Sequence, residues 1–305
     1  YIAERRAKLL FRIGQHLERC ADFDLALQVY ASSGYGAARQ RRIRVLERTL
    51  RYQEALELAN QAISEPSSDG ELQLAERALL RLSRQLGLPV PKRSKAAAPA
   101  RLDLQLRKAP MLAVEQLVQQ HLQCLEAPVH YVENTLICSL FGLLCWRAIF
   151  AAVPGAFFHP FQHGPADLLT AEFYGRRRAL FAECLAQLED ERYRDSIRQT
   201  YRDKFGIQSP FVHWGVLSET LLEQALDCLP AAHLQAWFRR LLGDIQANRS
   251  GMPDLIQFWP EEKRYRMIEV KGPGDRLQDN QRRWLAFCAE HGMPVDVCYV
   301  QWAEA

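Results

Sequence analysis

The chain has 305 residues, 48% of them hydrophobic and 25% charged, with 16 Gly and 15 Pro. That make-up excludes disorder, collagen and a small disulfide scaffold, and it fits a globular chain of two or more domains. Eight Cys without a CxxC pair argue against a disulfide framework and a structural zinc site, so the cysteines read as reduced and intracellular. Net charge is +3, unevenly spread: residues 1–108 carry 20 Lys/Arg against 12 Asp/Glu, and the remainder 19 against 24. An electropositive front half suits a polyanion, and an acidic back half suits a site that attracts cations, although a solvated helix surface gives the same statistics.

The first ninety residues read as helical and contain an echo. Leu17-Glu18-Arg19, Phe23 and Ala26-Leu27 return 29 residues later as Leu46-Glu47-Arg48, Tyr52 and Ala55-Leu56. An aromatic beside an Ala-Leu pair, on helix pairs about thirty residues apart, resembles a tetratricopeptide (TPR-like) array in which each unit buries its face on the next. Residues 88–100, rich in Pro, Ala and Lys/Arg, read as a linker. Met111–Leu125 is amphipathic. The stretch from Leu136 to Phe158 is apolar, but Arg147 and Pro154 interrupt it, so it reads as a buried core helix over 135–152 rather than a membrane span. Helices are expected at 174–187, 192–201, 216–229 and 231–247. His159 and His163 flank Pro160, which denies them a shared helical face and leaves them in a loop or core rather than on a metal.

From Ser250 the pattern changes. Leu255–Trp259 and Tyr265–Lys271 are strand-like around a polar turn, Gln278–His291 reads as a helix, and Val295–Trp302 as a further strand. The fold class is thus mainly α with a C-terminal α/β unit. If Trp259 faces Arg264 across the turn, Asp254 lies opposite Glu269. Glu269 and Lys271 then share a face while Ile268 and Val270 point the other way. Two carboxylates and a lysine would converge at one sheet edge. Paired carboxylates of this kind suit a hard divalent cation, Mg²⁺ or Mn²⁺, although Glu-Lys pairs also decorate ordinary hairpins.

The run Gly251-Met-Pro-Asp-Leu255, then Ile268-Glu-Val-Lys-Gly-Pro-Gly-Asp-Arg-Leu277 and Asn280-Gln-Arg-Arg-Trp-Leu285, resembles the VRR-NUC branch of the PD-(D/E)XK nucleases, and most closely the Fanconi-associated nuclease family. Val132-Glu-Asn-Thr135 followed by Leu140–Trp146 resembles that family's glutamate-led helix. The resemblance implies a restriction-endonuclease-like PD-(D/E)XK core behind a TPR-like array. The expected division is a DNA-cradling region over 1–108, a helical region over 109–247 and the nuclease core over 248–305. It implies that Asp254, Glu269 and the Val270 carbonyl bind the metal, with Glu133 as an extra ligand, and that Lys271 and Gln281 assist the chemistry. Glu133 also reads as an ordinary helix-start carboxylate. Asn280 departs from members that carry a lysine there to seat a terminal phosphate.

The activity so implied is Mg²⁺- or Mn²⁺-dependent cleavage of branched or 5′-flapped DNA, with 5′-to-3′ trimming, in DNA repair including that of interstrand crosslinks. A junction-resolving or restriction-type nuclease, and a non-catalytic DNA-binding scaffold, are the alternatives. Candidate phosphate contacts are Arg39, Arg41, Arg42, Arg44, Arg48 and Arg51, with Lys92, Arg93 and Lys95. The expected setting is intracellular, in the bacterial cytoplasm and nucleoid or a eukaryotic nucleus, with other repair proteins as partners and no membrane. A start at Tyr1 suggests a fragment that lacks an N-terminal DNA-binding module.

Overall fold

The structure is a computed structural model that describes residues 2–90, 99–170 and 172–303. It divides into two compact units, Tyr1–Lys95 and Ala96–Ala305. Lys92, Arg93, Lys95 and most of the expected linker lie outside the described residues.

The described residues of the first unit form five helices: α1 (Ile2–Arg19), α2 (Phe23–Ala31), α3 (Ala38–Arg48), α4 (Tyr52–Ser64) and α5 (Asp69–Gln85). The sequence echo has a backbone counterpart. Ala21 and Leu50 both adopt left-handed φ, +60° and +62°. Their turns close with the same hydrogen bonds, Asp22 N–H to Leu17 O at 3.0 Å and Arg51 N–H to Leu46 O at 2.9 Å. A chain reversal of this kind ends one helix and starts the next without orphaning carbonyls. The repeated alanines, Ala26 and Ala55, are fully buried where the helices touch. Gly14 permits the closest approach, since a Cβ there would lie 2.6 Å from the Tyr30 ring. Tyr30 Oη donates to buried Glu18 at 3.0 Å.

The second unit is built on a mixed five-stranded sheet, ordered β1-β5-β4-β3-β2: β1 (Ala100–Leu106), β2 (Val129–Tyr131), β3 (Leu255–Trp259), β4 (Arg264–Lys271) and β5 (Val295–Trp302). β5 runs parallel to β1 and β4, while β3 is antiparallel to β4 and β2. The β3–β4 hairpin takes the expected register, Trp259 against Arg264 and Leu255 against Ile268. The expected strand at 295–302 is β5, and Gln278–His291 contains helix α15 (Asp279–Glu290). Two strands are additions to the sequence reading. β1 joins the sheet edge at the end of the expected linker, and β2 lies inside the stretch read as helical. The sheet therefore takes strands from well upstream of residue 248.

Each face of the sheet is covered. On one face, α6 (Val114–Leu122) packs Val118 against Val129, Leu255, Ile268, Val270, Cys298 and Val300. The opposite face carries Ile256, Phe258, Tyr265, Met267 and Val297. They pack against α7 (Leu136–Leu144), α12 (Glu219–Cys228), α13 (Ala231–Gly243) and α15 in the main core. The intervening helices are α8 (Trp146–Ile149), α9 (Glu172–Gly175), α10 (Arg178–Ala186), α11 (Tyr193–Lys204) and α14 (Ile245–Asn248). The apolar helix expected over 135–152 is thus two helices, α7 and α8, meeting at Cys145. Among the described residues, no helix is long and apolar enough to cross a membrane.

Candidate active site

The β3–β4 register sets the geometry. Asp254, one residue before β3, falls opposite Glu269, and Lys271 lies two residues further along the same face. Asp254 Oδ2 accepts the Val270 N–H at 2.8 Å, which fixes the carboxylate to the neighbouring strand. Glu269 is completely buried, and its Oε1 lies 2.7 Å from Lys271 Nζ. That approach is an ion pair without hydrogen-bond angles, because neither Glu269 oxygen has a hydrogen-bond partner. Lys271 is itself only 8% exposed.

Burial dominates the electrostatics of both acids. Loss of water pushes the Asp254 carboxyl up to about 6, against the pull of the Val270 N–H and Lys271. Glu269 rises further, to about 8, from burial and then from the Asp254 charge beside it, with Lys271 opposing. Buried carboxylates with unmet acceptors in one another's field favour a proton or a cation between them.

Glu133 reaches the same neighbourhood through a local tether. Val132 N–H donates to Asp254 O at 2.8 Å, extending the β2–β3 pairing by one step. Asn134 then turns left-handed, at φ +56°, and its Oδ1 accepts the Met252 N–H at 3.0 Å. Glu133 is therefore stitched to the Gly251–Asp254 turn across 118 residues of sequence. Its charge contributes to the upward shifts of both Asp254 and Glu269. The carboxylate is held by Tyr131 Oη, which donates to Oε2 at 2.6 Å, and by Asn134 Nδ2, which donates to Oε1 at 3.2 Å. Among the described residues, no three His, Cys, Asp or Glu side chains already converge as a cation cage.

The turn before Asp254 is shaped from the other side by α15. Gly251 has φ +88°, and a Cβ there would lie 2.7 Å from the Asn280 side chain. Trp284 Nε1 donates to Ser250 O at 3.1 Å. Asn280, at the position where some family members carry a lysine, thus packs on the turn. Gln281, which the resemblance gives a part in the chemistry, is engaged locally in this structure. Its Oε1 accepts the Gln278 N–H at 2.8 Å and caps its own helix, because the first amides of α15 have no intrahelical partners.

The sequence reading missed Glu115, Tyr131 and Asn134. Glu115, in the first turn of α6, adds its charge to the field at Asp254 and Tyr131. Its signal was a lone acid at a helix start, which nothing local separates from ordinary dipole compensation.

The basic candidates lie in the first unit, and two have other work. Arg39 forms a two-pronged ion pair with Glu71, at 2.7 and 2.6 Å. Arg51 pairs with Glu54 at 2.6 Å and Asp24 at 3.3 Å. In this structure their guanidinium groups are engaged by carboxylates. Arg41 lies 3.6 Å from Glu18, and Arg42 is partly buried with an unpartnered Nε. Arg44 and Arg48 are exposed, with Arg48 also over the Phe23 ring.

The VRR-NUC domain model matches residues 188–302, a span that contains Asp254, Glu269, Val270, Lys271 and Gln281. Over 305 residues, 99% of this chain, the sequence is 61% identical to the Fanconi-associated nuclease 1 homolog of Pseudomonas aeruginosa. The chain belongs to the Fanconi-associated nuclease family. The Homo sapiens Fanconi-associated nuclease 1 is 34% identical over 175 residues, 55% of this chain. The fold agrees, since paFAN1 bound to 5′ flap DNA with a two-nucleotide flap and a gap superposes with TM-score 0.94 at 60% identity, over 99% of this chain and 56% of that one. A second paFAN1 structure, with a one-nucleotide flap, gives 0.92. This chain spans about half the length of the Pseudomonas relative, 54%, and 17% of the human one.

Proposed function

We propose that the chain is the catalytic part of a metal-dependent, structure-selective DNA nuclease that cuts 5′ flaps, trims from the 5′ side and acts in intracellular DNA repair, including that of interstrand crosslinks. In this reading the sheet unit is a PD-(D/E)XK core and the front helices are a TPR-like array. The carrying observation is the Asp254–Glu269 pair, two dehydrated carboxylates face to face beside Lys271, with both Glu269 oxygens lacking hydrogen bonds. Relatives named as nucleases, and a close structural neighbour named as bound to 5′ flap DNA, support the substrate class.

The donor set fits Mg²⁺ or Mn²⁺, because its atoms are carboxylate and carbonyl oxygens. Asp254, Glu269 and the Val270 carbonyl would hold such a cation, and Glu133 would join them on release from Tyr131. When bound there it would supply Lewis-acid polarisation of a phosphoryl oxygen and a water that is nucleophilic near neutral pH. Asp254 keeps one oxygen on the Val270 N–H and so presents the other at a fixed angle. Lys271 orients the attacking water and offsets negative charge as it develops on the phosphate.

The test uses end-labelled single-stranded, duplex, 5′-flap, 3′-flap and four-way DNAs, with Mg²⁺, Mn²⁺ or chelator. Metal-dependent cutting that favours the 5′ flap is expected. Equal cutting of four-way junctions would favour the junction-resolving reading, and binding without cutting a scaffold. For Glu133, replacement by Gln removes charge at nearly constant shape. A ligand role gives weaker Mn²⁺ binding by calorimetry and a slower rate at normal thermal stability, whereas a helix-start role gives a small stability loss and normal metal binding.

A further inference from the structure

Between α8 and the start of α9, the chain makes a loop that the nuclease chemistry does not use. Residues 151–166 contain no Asp, Glu, Lys or Arg. The loop is nevertheless tightly built. Ala166 N–H donates to Ala156 O at 2.8 Å and closes its neck. Gln162 lies at its centre, accepting the Phe158 N–H at 3.1 Å and donating to Ala156 O at 2.7 Å and Gly164 O at 2.6 Å. Beneath it, Phe157 stacks on Phe150, which stacks on Trp146 at 4.7 Å. Just beyond its end, buried Asp167 accepts from Arg177 at 2.8 and 2.9 Å, and Arg176 donates to both Asp167 and Pro154 O.

What this scaffold presents is apolar and outward. Phe158 is 73% exposed and Phe161 89%, with His159 and His163 also exposed beside them. A single exposed phenylalanine is ordinary, but a charge-free loop whose backbone is pinned by hydrogen bonds here turns Phe157 inward and presents two phenylalanine rings to solvent. Flat aromatic faces on a segment without carboxylates suit unpaired nucleic-acid bases: every base has a π-face to stack, and no negative charge repels the phosphates. The loop also follows the Glu133 turn closely in the chain: α7 and α8, from Leu136 to Ile149, together make about 20 Å of helix, an upper bound on the distance they span and less than one turn of duplex.

We propose that Phe158 and Phe161, flanked by His159 and His163, form a stacking platform for unpaired DNA bases at a flap or gap. It rests on the nuclease reading of the same chain and adds the means by which single-stranded segments are told from plain duplex.

The experiment places 2-aminopurine in the unpaired nucleotides of a gapped 5′-flap DNA and titrates the full chain in chelator, with a blunt duplex of equal length as reference. The wild-type chain should quench the probe. Phe158→Ala/Phe161→Ala should lose the quench and bind flapped DNA about tenfold or more weakly, with duplex affinity and thermal midpoint unchanged. Phe158→Trp/Phe161→Trp should keep both quench and affinity. A double-alanine variant that still quenches and binds normally would overturn the proposal, as would equal weakening on flap and duplex, which marks a backbone contact. Altered self-association with DNA binding intact would assign the rings to a protein contact instead. Failure of the nuclease reading is seen separately, as uncut flap DNA when the wild-type chain receives Mg²⁺ or Mn²⁺.

Discussion

Two buried glutamates, Glu71 in the helical unit and Glu269 in the sheet unit, are treated in opposite ways. In the helical unit, Glu71 is 6% exposed and fully engaged: its oxygens accept the Arg39 fork, the Ser67 N–H at 2.7 Å and the Ser67 hydroxyl at 2.7 Å. Burial alone would raise its pKa, yet these partners hold it below the usual range. In the sheet unit, Glu269 is buried just as deeply with only the Lys271 ammonium, at 2.7 Å, against one oxygen and no hydrogen bond on the other, and it rises to about 8. A satisfied buried carboxylate ties a fold together, whereas an unsatisfied one stores a demand that a ligand can meet. On the proposed function, the pair sets a rule that can be broken: Glu71 serves structure and Glu269 serves chemistry.

The sharpest way to break that rule is to remove acids from each side. Asp254→Ala should lower cleavage about a thousandfold or more while leaving folding and DNA affinity largely intact, and affinity should rise slightly as repulsion of phosphate is relieved. Normal cleavage by that variant would discard the site. Glu71→Ala should do the reverse, costing roughly 3–5 kcal/mol because Arg39 is left without its partner. All six Trp lie beyond residue 145, so tryptophan emission follows the sheet unit alone and should not register this loss. Far-ultraviolet circular dichroism should show the helical unit melting first.

The same contrast sets opposite responses to pH. Asp254 and Glu269 bind protons more tightly folded than unfolded, so their contribution favours the fold at low pH and is lost as pH rises through about 6 and about 8. Glu71, with its lowered pKa, contributes stability above the unfolded carboxylate range and loses it in acid. In chelator, the tryptophan-monitored midpoint should fall as pH rises from about 4 to about 8, with the Asp254 part, worth about 3 kcal/mol, lost between about pH 4 and 6 and the Glu269 part continuing to about 8. Asp254→Asn should flatten the slope, and Mg²⁺ or Mn²⁺ at pH 8 should recover the lost stability. A midpoint that rises over this range would contradict the dehydrated pair.

How much of this was legible beforehand depends on how local each interaction is. The β3–β4 register followed from a short hairpin with Trp259 and Arg264 at its ends, so the Asp254–Glu269 pairing could be read from strand periodicity. β1 carries a clean alternation, Arg101-Leu-Asp-Leu-Gln-Leu106, but its partner β5 begins almost 200 residues later, and the alternation was overlooked beside a Pro- and Ala-rich segment. β2 has three residues and no periodicity to detect. Glu133 was reached through family resemblance. Its physical tether, the left-handed Asn134 bonded to Met252, depends on a backbone conformation that sequence does not announce. The helical echo was visible as residues, whereas the matching left-handed turns at Ala21 and Leu50 were not, since neither is glycine.

The smallest expected effect sharpens the comparison within the helical unit itself, between arginines with and without carboxylate partners. Arg39 is held by Glu71 and Glu65 O, while Arg44 and Arg48 are exposed. A guanidinium already paired with a buried carboxylate releases few counterions on meeting DNA, because its charge is largely neutralised beforehand. An exposed one releases about 0.9 per phosphate contact. Replacing Arg44 and Arg48 together by Gln should therefore flatten the slope of log affinity against log salt by roughly 2 units at most, with thermal stability unchanged. Arg39→Gln should leave that slope alone and lower the stability of the helical unit. The double variant removes two charges and Arg39→Gln one, so the comparison is made per charge removed, and a difference on that scale reports pairing rather than net charge. Equal slopes for all three proteins would move the DNA contacts away from α3, and a flattened slope for Arg39→Gln would show that its ion pair opens to take phosphate.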